Sequence, residues 1–287
     1  MDKASTIILA VSLIIIMFGM GLSLTTTDFR RVIFYPKAIF IGLINQLILL
    51  PLIGFSIAVG LNLPADIAIG VMILAACPGG PTSNLISHLA KGDLALSVTL
   101  TALSSLITIL TIPFLVNFAL EYFSEQGQFI QLDVLQTILQ ILIIVVIPVC
   151  VGMLVRRYRN KFAHNMARPV RIGSGVVLAL IIIGLVIKEK DNFVSYLQQA
   201  GLATLALNAI TMFVGYYSAK LFRLTKPEAV SISIESGIQN GTLAITVAVV
   251  LLNNTAFAIA PAVYSLLMFF TGGFMIFRAT RRKGETA

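Results

Sequence analysis

Long apolar stretches alternate with short polar connections from one end of this chain to the other. A bilayer core about 30 Å thick is crossed by roughly 20 apolar residues in a helix. Nine stretches of that scale can be drawn, at 5–25, 37–60, 65–91, 93–120, 134–155, 172–187, 202–222, 227–252 and 256–277. The pattern predicts an all-α membrane protein with about nine transmembrane helices, forming a single transmembrane domain over 1–287. The first stretch carries no small-residue cleavage pattern and is expected to be a retained helix, not a signal peptide.

Two stretches break the pattern internally. The third carries Cys77-Pro78-Gly79-Gly80-Pro81-Thr82-Ser83-Asn84 in its middle, and the eighth carries Glu235-Ser236-Gly237-Ile238-Gln239-Asn240-Gly241. Two prolines and two glycines cannot sustain an uninterrupted helix. Irregular backbone at membrane depth survives only where protein or a wet cavity surrounds it. The breaks lie five stretches apart, and an odd offset points the two segments in opposite directions. Extending that pairing to stretches 1/6, 2/7 and 4/9 predicts two inverted halves, about 5–120 and 134–277. Paired broken helices in such halves are the sequence pointer to a transporter's binding site.

Composition agrees: of 287 residues, 58% are hydrophobic and 11% charged, too few charges for a chain dissolved in water. The net charge of +8 would by itself suggest nucleic acid. Its distribution says otherwise. With the N-terminus outside, every Lys and Arg falls in a connection or tail on the cytoplasmic side except Lys3, Lys188 and Lys190. That bias orients the chain N-outside and C-cytoplasmic and makes the basic residues a membrane rim. Two cysteines, two histidines and no G-x-x-x-x-G-K-[ST] run leave no disulfide framework, metal cluster, catalytic constellation or nucleotide engine to build on. The expectation is a carrier and not an enzyme, with no obligate protein partner.

Eleven of the twelve acidic residues, Asp2, Asp28, Asp66, Asp93, Glu121, Glu125, Asp133, Glu189, Asp191, Glu228 and Glu285, sit at or beyond segment ends. Glu235 alone lies deep within one. A carboxylate near the bilayer centre costs about 2.5 kcal/mol or more, which marks it as functional. No Lys or Arg lies at comparable depth, so either a proton or a cation neutralises it. Hard cations take oxygen ligands, and oxygen-bearing side chains gather at the breaks: Ser83 and Asn84 at one, Gln239 and Asn240 at the other. Ser97 and Thr101 lie one turn apart on the fourth stretch and share a face; Gln46 is a lone amide within the second. The second half of each broken helix also begins with free N–H groups and a positive dipole end, which would suit an anion near Thr82, Ser83 and Asn240.

These motifs resemble the bacterial bile acid:sodium symporter family. The resemblance is carried by Cys77-Pro-Gly-Gly through Ser83-Asn84, by Ala90-Lys91-Gly92-Asp93-Leu94-Ala95-Leu96-Ser97-Val98, by Glu235-x-Gly237-x-Gln239-Asn240 and by Phe18-Gly19-Met20-Gly21-Leu22. It implies a panel domain beside a core domain in which the broken helices cross. It also implies two sodium ions. One would be held by Ser83, Asn84, Ser97, Thr101 and Glu235, the other by Gln46, Glu235 and Gln239 with backbone carbonyls near Ser236 and Ile238. On the substrate side, Pro81 stands where relatives often have Thr, and Leu267-Met268-Phe269 where they often have Trp-His-Asn. Pro81, Thr82, Asn240, Met268 and Phe269 are accordingly the candidate substrate contacts, with a more apolar lining. The implied activity is sodium-coupled symport of an organic anion, bile-acid-like or a small carboxylate such as pantoate, across a bacterial inner membrane by alternating access. A proton-coupled or exchange carrier of organic acids on the same fold is the alternative, and a ligand-binding sensor is a third class.

Overall fold

The computed structural model describes residues 3–124, 131–188 and 193–281, and the described residues are helical with no strand. Asp2, Glu125, Glu189, Lys190, Asp191, Arg282, Lys283 and Glu285 lie outside them. Helix α1 spans Lys3–Ser23, and a short α2 spans Thr26–Arg30. Helix α3 (Pro36–Ile44) runs through a π turn at Asn45–Leu49 into α4 (Leu50–Gly60). The third stretch divides into α5 (Ala65–Ala76) and α6 (Pro81–Leu89), and α7 covers Leu94–Phe123. Helix α8 (Val134–Ile141) passes a π turn at Leu142–Val146 into α9 (Ile147–Tyr158). Helices α10 (Asn160–Lys188) and α11 (Phe193–Leu221) follow. The eighth stretch divides into α12 (Lys226–Gly237) and α13 (Gly241–Thr246), and α14 spans Ile259–Arg281.

All nine apolar stretches are therefore occupied by helix, and both breaks fall where the Pro/Gly and Gly/Asn runs put them. Among the described residues, Pro36–Gly60, Leu94–Phe123, Val134–Tyr158, Leu197–Leu221 and Ala256–Arg281 are each long and apolar enough to cross a bilayer alone. The two π turns that precede Pro51 and Pro148 have a local cause. Proline lacks an N–H and its ring strikes the carbonyl four residues back, so the preceding turn widens.

The acidic residues at segment ends are largely helix caps. Asp93 accepts from Leu96 N (3.0 Å) at the start of α7, and Asp133 accepts from Gln136 N (2.8 Å) at the start of α8. Asp28 and Glu228 each close a capping box, with Thr25 and Thr225 respectively. A cap satisfies donors that the first turn leaves free, which explains why these carboxylates sit where they do and leaves Glu235 as the carboxylate still needing an explanation.

Two sequence expectations change. The basic run 156–171 is not a connection: α9 and α10 are separated by Arg159 alone, and α10 begins well before the apolar residues that announced it. Charged residues at a helix end are favourable at the membrane rim, so hydropathy marks the apolar part and misses the helical extension. The first stretch also does not pass straight into the second. Helix α2 and the residues to Ile33 turn by 73° from α1, and the Thr99 hydroxyl on α7 donates to the Asp28 carbonyl (2.9 Å), fastening this elbow.

The helices sort into two groups. Helix α1 packs along α9 and α10. The remaining long helices, α3/α4, α5/α6, α7, α11, α12/α13 and α14, pack on one another. Short contacts of α1 with α13, α7 with α8 and α10 with α14 join the groups.

Candidate functional site at the helix crossing

The two breaks meet. Gly79 and Gln239 form an isolated antiparallel bridge, and the Asn240 N–H donates to the Pro78 carbonyl (2.9 Å). The extended backbone at each break thus finds hydrogen-bond partners in the other break, which is how irregular chain persists inside an apolar core. Gly79 is demanded by contact: a Cβ there would run into the Glu235 carboxylate. At the crossing sit the C-terminal ends of α5 and α12 and the N-terminal ends of α6 and α13.

Glu235, on the last turn of α12, is 2% exposed. Thr101 donates to its Oε1, and Ser97 Oγ lies 3.2 Å from its Oε2. Ser97 Oγ is also 2.8 Å from Asn84 Oδ1, and Thr101 Oγ1 is 3.1 Å from the same oxygen. Ser83 Oγ is 3.5 Å from Thr101 Oγ1 and donates to the Gly80 carbonyl (2.7 Å). Three helices therefore bring Ser83, Asn84, Ser97, Thr101 and Glu235 into one cluster. Its proton count is short. With the Ser83 proton committed to Gly80, the hydroxyls of Ser97 and Thr101 face both Glu235 oxygens, Asn84 Oδ1 and the Ser97 carbonyl. No Lys, Arg or His pairs with Glu235 among the described residues. A cluster with more lone pairs than protons is chemically suited to a hard cation.

A second set lies beside it. Gln46, in the π turn between α3 and α4, donates to the Cys77 carbonyl (2.9 Å) and to Gln239 Oε1 (2.7 Å). Gln239 Nε2 donates to the carbonyls of Ser236 (2.9 Å) and Glu235 (3.2 Å) at the end of α12. The Ser236 side chain itself bonds back to the Ile232 carbonyl (2.8 Å), so Ser236 meets Gln239 through its backbone. Ile238 is fully buried and extended at the break. Gln46, Gln239 and the Glu235 and Ser236 carbonyls at the end of α12 are thus brought together.

The substrate candidates divide. Pro81 and Thr82 open α6 and are partly exposed. Gly80, which precedes them, has no side chain to cap that helix. Asn240 caps α13 through Leu243 N (3.1 Å), so the first turn of α13 is already served by its own side chain. Met268 is 1% exposed on the buried face of α14, one turn from Ser265, which borders Gly241, and one turn from Gly272, which borders Ile86 of α6. Phe269 is half exposed and lies with Leu266, Phe270, Phe274 and Phe277 on the exposed side of α14.

Sequence reasoning also missed Asn208 on α11 and Tyr264 on α14, both fully buried, which donate to the Gly237 carbonyl. A buried Asn within an apolar stretch was the available signal.

Residues 10–196 match the model of the sodium bile acid symporter family. The chain belongs to that family. It is 34% identical over 234 residues to an uncharacterized sodium-dependent transporter, YocS, of Bacillus subtilis, covering 80% of this chain and 70% of that protein. It is 30% identical over 259 residues to a probable chloroplastic sodium/metabolite cotransporter, BASS1, of Arabidopsis thaliana, of which it spans 62%. It is 28% identical over 281 residues to the hepatic sodium/bile acid cotransporter of Rattus norvegicus, of which it spans 75%. As a member of this family the protein is a multi-pass membrane transporter and not an enzyme.

Proposed function

We propose that this protein is a symporter that couples sodium to the uptake of an organic anion by alternating access, in a bacterial inner membrane with its C-terminus cytoplasmic. The observation that carries the reading is the proton-poor oxygen cluster around Glu235, a buried carboxylate with hydroxyl and amide neighbours and no cationic side chain among the described residues. Sodium would be taken by Ser83, Asn84, Ser97, Thr101 and Glu235. A second ion would be taken by Gln46, Gln239 and the backbone at Glu235, Ser236 and Ile238. Both sets hold the crossing together from α3/α4, α6, α7 and α12, so ions bound there stiffen the contact between the two breaks. The start of α6, which Gly80 leaves without a side-chain cap, then offers the Thr82 N–H and the positive end of the helix dipole to the carboxylate or sulfonate end of the substrate, while Pro81, Asn240 and Met268 border its body.

Glu235→Gln keeps the shape and removes the charge. Purified wild type is expected to melt higher in sodium than in potassium, by about 1.4 kcal/mol of stabilisation per ion at ten times its dissociation constant. The variant is expected to lose that difference while still melting cooperatively in potassium. A wild type whose melting and uptake ignore sodium but follow pH would replace this reading with proton coupling.

A further inference from the structure

The last four carbonyls of a helix have no partner within it, and at the end of α12 they divide among three kinds of donor. The Ile234 carbonyl takes the Ile238 N–H (2.8 Å). The Glu235 and Ser236 carbonyls take the Gln239 amide, a side chain that can turn away. The Gly237 carbonyl takes two donors from outside the break: Asn208 Nδ2 on α11 and the Tyr264 hydroxyl on α14 (2.7 Å). Asn208 and Tyr264 also lie 3.3 Å apart, and both side chains are fully buried. The acceptor fixes the Asn208 amide with its nitrogen toward Gly237, which leaves its buried Oδ1 without a partner. A polar side chain is kept here at the cost of an unpaired oxygen. Gly237 itself admits no side chain, because a Cβ there would strike Met212 of α11.

We infer that Asn208 and Tyr264 are positioning residues for the second cation site: by holding the Gly237 carbonyl toward α11 and α14, they leave the Glu235 and Ser236 carbonyls turned to the Gln46/Gln239 pocket. The division of labour is chemical. A carbonyl bound by two fixed donors on rigid helices is withdrawn from ion binding. Carbonyls bound only by the Gln239 amide are released when that side chain rotates to present its own oxygen, which Gln46 holds in this structure. The pair therefore selects which carbonyls at the break remain available, and it ties α11 and α14 to the ion occupancy of the crossing. Neither residue touches an ion. The inference rests on the sodium reading above.

Tyr264→Phe removes only the hydroxyl and keeps the ring, and Asn208→Ser keeps a short donor. The measurement is the melting temperature against sodium concentration at constant ionic strength, together with sodium-dependent uptake of taurocholate or pantoate by vesicles. Tyr264→Phe is expected to raise the half-saturating sodium concentration about five- to tenfold, the worth of one buried hydrogen bond. Uptake at saturating sodium and melting in potassium should stay near wild type. Asn208→Ala is expected to act in the same direction, with Asn208→Ser restoring part of the loss. A wild-type sodium response that all three variants reproduce, or variants that only melt lower in potassium with unchanged sodium dependence, overturns this assignment alone. A wild type with no sodium response overturns it together with the proposed function.

Discussion

Thr101 illustrates how one hydroxyl can hold a site together. It bonds Glu235, reaches Asn84 Oδ1 and bonds back to the carbonyl of Ser97, one turn away on its own helix. Replacing it with Val preserves shape and removes the polar atom. The expected result is a sodium affinity about tenfold weaker, because one oxygen ligand is gone and the carboxylate loses a donor. Melting in potassium should change less than the sodium-induced difference does, and isothermal titration with sodium chloride against choline chloride checks it. Unchanged sodium binding would remove Thr101 from the ligand set. At this scale much was readable in advance, since a carboxylate in an apolar stretch and hydroxyls one turn apart are local facts. Asn208 and Tyr264 were not readable. Their role depends on a carbonyl more than 25 residues away in sequence, and only packing brings it within reach.

Elements were legible where composition changes abruptly and obscure where it does not. Pro-Gly-Gly-Pro and Gly-Ile-Gln-Asn-Gly announce broken helices, and both breaks occur there. The charged start of α10 and the bend after α1 gave no apolar signal, so segment boundaries slipped. A sequence run such as Leu267-Met268-Phe269 does not reveal which residue of a helix is buried; here Met268 is and Phe269 is half exposed. The crossing itself yields a prediction about glycine. Gly79→Ala would push a methyl into the Glu235 carboxylate and toward Ser83 Oγ, on backbone already bridged to Gln239. Overpacking of this kind costs about 1–3 kcal/mol and here falls on the ligand set. Gly173→Ala, on α10 with nothing nearby, makes the same chemical change in open space. Gly79→Ala should abolish the sodium-induced rise in melting temperature, whereas Gly173→Ala should leave it intact. Equal effects would separate the crossing from ion binding.

At the scale of the molecule, the site belongs wholly to the larger group of helices, with α1, α9 and α10 standing beside it. Every helix that contributes an oxygen to the Glu235 cluster or the Gln46/Gln239 set packs within that group, so ions bound there would report on its internal packing. A substrate lying at the start of α6 would be exposed to one side of the membrane or the other as the two groups shift. Which side supplies the ions depends on orientation, and the distribution of basic residues predicts one. Arg30, Arg31, Arg156, Arg157, Arg159, Lys220, Arg223, Lys226, Arg278 and Arg281 all cluster at one set of helix ends if α1 starts outside. In a Cys150→Ser background, with Cys77 buried, Gly60→Cys at the end of α4 and Phe222→Cys after α11 place thiols on exposed positions at opposite rims. An impermeant maleimide added to intact cells should label the first and not the second, with both labelled after permeabilisation. The reverse pattern would invert the topology and make the same oxygen cluster face an export path. With the expected pattern, the inward sodium gradient drives the anion into the cell, the direction in which the Lys and Arg residues gathered at the cytoplasmic rim attract an anion leaving the crossing.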